Sequence, residues 1–311
     1  MNKRFFKRFS EYKSDIYLVI ATFFWGASFL ATEYILKQAD LLSYMGARYI
    51  IATLVLLLFF GKYLKYFSWK AVRGGVVLGL FLFAGSLLLA AGQLYTTPEK
   101  SAFIISIQIL VVPFAAFFFL KKKPSIYSVF GVIFAFVGMF FITVGSSPLG
   151  LLGGWGFGET LTLLAALTWG WHIIFVSKYS QDNNPIFVCI VQVLTAGILS
   201  NLAAFLTNSK PIPSTFDAWL PILFIGVCAT AGSLALMLIG QQHTPPTRAA
   251  VIYSMEPVFA FVIGILIPSW DGTYATCNLP TLVGGAAIVF GVLVSEVGPT
   301  FLVYARGLAN R

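Results

Sequence analysis

Charge is what this chain has least of: 10% of its 311 residues are Asp, Glu, Lys or Arg, and 59% are apolar. A soluble domain carries roughly 25% charged residues and about 45–50% apolar ones, so this balance excludes a water-soluble fold. No polar stretch is long enough to make a soluble domain either, and any activity must reside among apolar helices and their short connections. Cysteine is scarce. Cys189, Cys228 and Cys277 lack metal-ligand spacing and the first two fall within apolar segments, so neither a metal site nor a structural disulfide is expected. The glycine-rich stretches lack the Gly-Lys-Ser/Thr ending that holds phosphates, which excludes a built-in ATPase, and no cofactor is expected. With two histidines and few acids in the apolar segments, the supply for an intramembrane enzyme is thin.

What the chain does have is a series of apolar segments long enough to cross a hydrocarbon core of about 30 Å as helices. Ten are read, with approximate cores at 16–36, 44–60, 74–94, 99–120, 126–144, 159–178, 186–206, 218–240, 246–267 and 280–297. The expected fold is an all-α integral membrane protein of ten transmembrane helices. The basic N-terminus followed by an apolar run resembles a secretory signal, but the run is too long, contains Glu33 and has no small-residue cleavage site. It reads as a retained first helix.

Ten spans put both termini on one side, so Lys and Arg can be summed over alternate connections. The terminal side collects sixteen, among them Lys3, Arg4, Lys7, Arg8, Lys13, Lys121, Lys122 and Lys123, whereas Lys37, Arg48, Lys100 and Lys210 fall opposite. The positive-inside rule then places both termini in the cytoplasm. The net charge of +9 sits in short loops beside apolar spans, where the anionic bilayer surface is the partner and nucleic acid is not.

The chain also repeats itself. Residues 92–108 align without gaps with residues 240–256, with seven identities in seventeen positions, and Lys100 falls opposite Arg248 and Gln108 opposite Glu256. Trp25-Gly26 finds Trp169-Gly170, and Gly131 and Gly138 find Gly284 and Gly291, in the same order. The repeat unit is five helices. Because five is odd, the second copy enters the membrane from the other side, giving two inverted-topology five-helix repeats, an arrangement characteristic of transporters. The organisation expected is a basic cytoplasmic N-terminus (1–14), a first repeat (15–145), a linker (146–157), a second repeat (158–298) and a cytoplasmic C-terminus (299–311). Thr96 or Thr97 and Thr244 are candidates to cap helices 4 and 9, with Pro98, Pro245 and Pro246 in first turns that need no amide donor.

The five-plus-five duplication, the Trp-Gly pairs and the segment Ser254-Met255-Glu256-Pro257-Val258-Phe259-Ala260 together resemble the EamA-type transporters of the drug/metabolite transporter superfamily, over residues 15–297. Two places depart from the family pattern. An acidic Gly-Glu turn is replaced by Ile267-Pro268-Ser269-Trp270-Asp271-Gly272 in the second half and by Lys121-Lys122-Lys123-Pro124 in the first. The resemblance implies a small organic metabolite as substrate, often an amino acid or related solute and often exported. A compact chain of this kind suits a bacterial inner membrane.

Glu256 lies near the middle of helix 9, where a carboxylate costs about 2.5–3.5 kcal/mol on insertion scales unless it faces protein or water. Its readings are a substrate, proton or gating role, or an internal bond that fixes the helix. Tyr253 lies one turn earlier on the same face, and Pro257 removes the amide that would bond the Tyr253 carbonyl, kinking the helix. Gln108 offers a donor and an acceptor from the other half, or simply bonds a neighbouring helix. Trp25 and Trp169, away from the interfacial belts, either line a cavity or fill space. His172, on the face of Trp169, either relays a proton or pairs with a carbonyl. Glu33 and Lys37 read as an i,i+4 surface pair. The expectation is a secondary transporter whose two halves rock about a central site, driven by a coupling ion such as a proton or by a counter-substrate. A channel, a non-transporting sensor and an intramembrane enzyme are the alternatives.

Overall fold

A computed structural model describes residues 3–96, 101, 104–105, 107–121, 123–146, 155–212, 215–268, 272, 274–275 and 277–309. The helices are α1 (Lys3–Leu36), α2 (Leu41–Phe60), α3 (Trp69–Gln93), α4 (Gln108–Leu120), α5 (Ile126–Ser146), α6 (Phe157–Asp182), α7 (Pro185–Leu206), α8 (Phe216–Gly240), α9 (Pro246–Leu266) and α10 (Leu279–Ala309). Of these, α1, α2, α3, α6, α7, α8 and α9 are long and apolar enough to span a membrane, and α4, α5 and α10 contribute shorter apolar stretches. The first turns expected of helix 4, with Thr97, Pro98 and Lys100, lie largely outside the described residues.

Local sequence explains where the helices begin. Ser68 caps α3 by accepting from the Ala71 amide, and Asn184 caps α7 by accepting from the amides of Ile186 and Phe187, with Pro185 following where no donor is needed. The Thr244 hydroxyl does not cap α9, and the helix start that Thr96 would cap lies outside the described residues. Each hydroxyl donates to a carboxylate of the opposite half, Thr244 to Asp15 and Thr96 to Glu159.

Packing crosses between the halves. Helix α1 lies against α8 and α9, α6 against α3 and α4, α2 against α7, and α5 against α10. Exchanging the two halves turns α1–α8 into α6–α3 and α1–α9 into α6–α4, and leaves α2–α7 and α5–α10 unchanged. That is the contact pattern of a two-fold relation between inverted five-helix repeats. Each half's first helix is embedded in the other half, α1 with α8 and α9, and α6 with α3 and α4.

Glycines permit the close crossings. A Cβ at Gly26 would lie 2.7 Å from Phe259 Cβ and 2.8 Å from the Glu256 carbonyl oxygen, and at Gly170 it would lie 3.1 Å from Val111 Cγ1. Val111 is the repeat equivalent of Phe259, so both Trp-Gly pairs cross the same point of the partner helix. In the α5–α10 pair, a Cβ at Gly291 would lie 2.7 Å from the Gly131 carbonyl and one at Gly138 2.5 Å from that of Gly284.

Two charged positions differ from expectation. Arg48 is not a loop charge: it lies inside α2 with its side chain among protein groups, so the side opposite the termini keeps only Lys37, Lys100 and Lys210. Glu33 and Lys37 form no ion pair. Those among the described residues join Lys70 to Asp182 and Arg248 to Asp15.

Gly291→Ala should lower the melting temperature of the purified protein, since overpacking costs about 1–3 kcal/mol. Gly285→Ala, where nothing lies within 4 Å of a new Cβ, should leave it unchanged. Equal melting curves for the two variants would refute the close-contact account of α5 and α10.

Candidate functional site

Two interrupted helices build the centre of the molecule. Helix α9 runs as Pro246–Tyr253 and Glu256–Leu266, with a tight turn between them in which the Met255 amide donates to the Ile252 carbonyl at 3.0 Å. Pro257, second in the new segment, has no amide to return to Tyr253. In the other half, α4 restarts at Gln108 after an equivalent turn, the Ile107 amide donating to the Ile104 carbonyl at 3.0 Å. Each restart therefore presents a polar side chain, Gln108 or Glu256. The first half breaks without a proline, since Ile109 stands where Pro257 does. Glu256 lies ten residues from either end of α9 (256 − 246 and 266 − 256), or roughly 15 Å from each. As the first residue of a helical segment it lies at the positive end of that segment's dipole, which favours a carboxylate.

These residues open onto a cavity of about 130 Å³. At about 10–15 Å³ per water centre it holds on the order of ten waters, or one small solute. Trp25, Gln108, Trp169, Tyr253 and Glu256 all line it, so five of the six residues singled out from the sequence come together from α1, α4, α6 and α9. His172 does not. It is 0% exposed in the packing against α7, its Nε2 3.2 Å from Gln192 Oε1 and its ring edge-on to Trp169.

The two tryptophans are held differently. Trp25 Nε1 donates to the Ala229 carbonyl at 2.9 Å, and its ring meets that of Tyr253 edge-on, with 5.3 Å between centroids. Ala229 lies in a π-helical stretch of α8, Ile225–Gly232, whose wider winding disrupts the regular backbone bonding. Ser233, just after this stretch, donates to the carbonyls of Cys228 and Ala21 and ties the same region to α1. Tyr253 is 4% exposed and its hydroxyl accepts from Gln241 Nε2 at 2.9 Å. In the first half α3 is a regular α-helix, and the Trp169 indole N–H has no hydrogen bond to a described residue. Glu256, too, makes no hydrogen bond or ion pair among the described residues.

Sequence reasoning missed Arg48, Tyr44, Ser86, Gln93, Ser28 and Thr32, which also line the cavity. Arg48 carried a signal, a cation four residues inside the apolar segment 44–60, but its closeness to the segment end made it read as a loop charge.

Each end of the bundle carries an acid latch, and the two are repeat equivalents. Asp15, 8% exposed, accepts from Thr244 Oγ at 2.8 Å and from Arg248 Nη2. Glu159 accepts from Thr96 Oγ at 2.7 Å and, through its other oxygen, from the Gly156 amide at 2.9 Å. Asp15 and Glu159 are 144 apart, as are Trp25 and Trp169. Thr96 and Thr244 are 148 apart, as are Gln108 and Glu256.

Residues 12–144 and 156–297 each match the model of the EamA-like transporter family. The chain is 29% identical over 255 residues to an uncharacterized transporter of Archaeoglobus fulgidus, a match covering 82% of this chain and 78% of that one. It is 22% identical to the uncharacterized inner membrane transporter YicL of Salmonella typhimurium, covering 85% and 92% of the two chains. A crystal structure of another protein superposes with a TM-score of 0.74 at 17% identity, covering 93% of this chain and 98% of that one, and shows the same fold.

Thr244→Val and Thr96→Val each remove one hydrogen bond to a carboxylate, worth about 1.5–3 kcal/mol when charge-assisted. Both should lower thermal stability in detergent. In a double-mutant cycle Thr244→Val should couple to Asp15→Asn but not to Glu159→Gln; coupling to the distant acid would refute two separate latches.

Proposed function

Because this chain belongs to the EamA-like transporter family, we propose that it moves a small organic metabolite, an amino acid or related solute, across a bacterial inner membrane by alternating access. The observation that carries this reading is the mid-span cavity shared by the interrupted helices of both repeats, with Glu256 opening into it. Discontinuous helices meeting at the midplane of an inverted repeat are a recurrent transporter arrangement. A volume of about 130 Å³ suits a solute of amino-acid size.

In this reading Glu256 binds the cationic group of the substrate or a coupling proton, Gln108 and Tyr253 supply neutral polar contacts, and Trp25 and Trp169 form the apolar walls. His172 serves the packing between α6 and α7. The groups that rock are α1 with α8 and α9 against α6 with α3 and α4. The paired latches support it, since a two-fold repeat supplies matching closures at the two faces. Both termini lie in the cytoplasm, where sixteen Lys and Arg side chains collect against three opposite once Arg48 is assigned to the cavity. Energy comes from a proton gradient or from exchange with a counter-substrate.

Glu256→Gln keeps the shape and removes the charge. In proteoliposomes loaded with a solute found by thermal-shift screening, it should abolish saturable counterflow while inserting and melting as the wild type does. Unchanged counterflow would remove Glu256 from the mechanism, and flux that fails to saturate in the wild type would replace the carrier reading by a channel.

A further inference from the structure

The cavity holds a second charge that the mechanism above does not use. Arg48 enters from α2 at a height about 10 Å inside the end of that helix, seven residues after Leu41. Its guanidinium is held from several sides. Nη1 donates to the Tyr44 hydroxyl at 3.1 Å, and that hydroxyl lies 3.2 Å from Thr32 Oγ1. The guanidinium carbon lies 4.8 Å from the centroid of the Tyr49 ring and 5.6 Å from that of Tyr44, and the Tyr49 hydroxyl is fixed at 2.8 Å from Ser86 Oγ. Tyr44 and Tyr49 are fully enclosed, so the cation rests on a rigid aromatic seat.

The guanidinium is not fully bonded by protein. Nε is buried without a hydrogen-bond partner, Nη2 has none among the described residues, and no described carboxylate forms an ion pair with the group. A guanidinium held at Nη1 and across its face, with Nη2 unbonded beside the cavity, is a fixed cationic donor for a carboxylate.

We propose that Arg48 is the anchor for a carboxylate of the transported solute, and so the residue that restricts the cavity to carboxylate-bearing substrates. This rests on the transporter reading above and adds a role for a residue outside it. The remaining contents of the cavity decide between anions. Among the described residues one guanidinium and one carboxyl group, Glu256, face the same small volume. A phosphate monoester carries about −1.5 to −2 charge at neutral pH and would face Glu256 with charge left uncompensated. A solute with one carboxylate and one amine satisfies Arg48 and Glu256 together.

The test compares acids with amides on the intact purified protein. Thermal shift and calorimetry would be run with the proteinogenic L-amino acids, the carboxamide of each, and inorganic phosphate. The proposal expects that some amino acids bind the wild type and that their carboxamides bind about ten- to hundredfold more weakly, the range of one charge-assisted contact. Arg48→Gln should erase the difference between acid and amide, and Arg48→Lys should keep part of it, because the charge remains without the fork. The acid-to-amide ratio in the wild type needs no variant, so a misfolded Arg48→Gln does not blunt the test. Amides that bind as well as acids, phosphate that binds in place of carboxylates, or a panel in which no amino acid binds would each overturn the role of Arg48. In each of those outcomes saturable counterflow of another solute would leave the transporter reading standing, whereas its absence for every solute would overturn that reading separately.

Discussion

A helix surrounded by lipid must satisfy its backbone within itself, and two helices at the centre of this molecule do not. The turns before Gln108 and Glu256 leave irregular backbone at the depth where hydrocarbon offers no hydrogen bonds, a state tolerated only inside protein or beside a water-filled cavity. The rest of the fold follows from that requirement. Helices α1 and α6 lie over the interrupted segments at Gly26 and Gly170, and α8 and α3 close behind them. The open space that is left becomes the cavity, lined by the polar groups the interruptions deliver.

The crossing of the halves is part of the same solution. Had each five-helix unit packed on itself, the interruption in each would have faced its own first helix. Instead the first helix of one half covers the interruption of the other, and the site cannot exist in a single repeat. The symmetry is not complete. The first half places a neutral amide and a regular helix α3 where the second places a carboxylate, a proline and a π-helical turn. The carboxylate, and the carbonyl to which Trp25 donates, therefore both come from the second half.

Much of this was legible in the sequence because membrane helices obey simple rules of length and because the repeat left identities in polar residues. Glu256, Gln108 and the tryptophans stood out as polar or amphipathic groups at mid-helix, and the structure brings them to one cavity. Three things were hidden, each for a physical reason. Ile107 and Gln108 give no local signal of a helix break, since Ile109 stands where the second half has Pro257. Arg48 lies near enough to the start of α2 that composition reads it as a flank. Thr96 and Thr244 are residue types that cap helices, and only the fold shows that Glu159 and Asp15 stand close enough to take their hydrogens.

The bond from Trp25 to the Ala229 carbonyl spans 204 residues. At a synthesis rate of about 5–20 residues per second, α1 waits roughly 10 to 40 seconds between leaving the ribosome and meeting its acceptor. Through that interval the indole N–H and the glycine groove beside it face lipid or the insertion machinery. Helices α8 and α9, two of the last three to emerge, are thus the ones that give the first helix its permanent neighbours, and the cavity is assembled late in translation rather than along it.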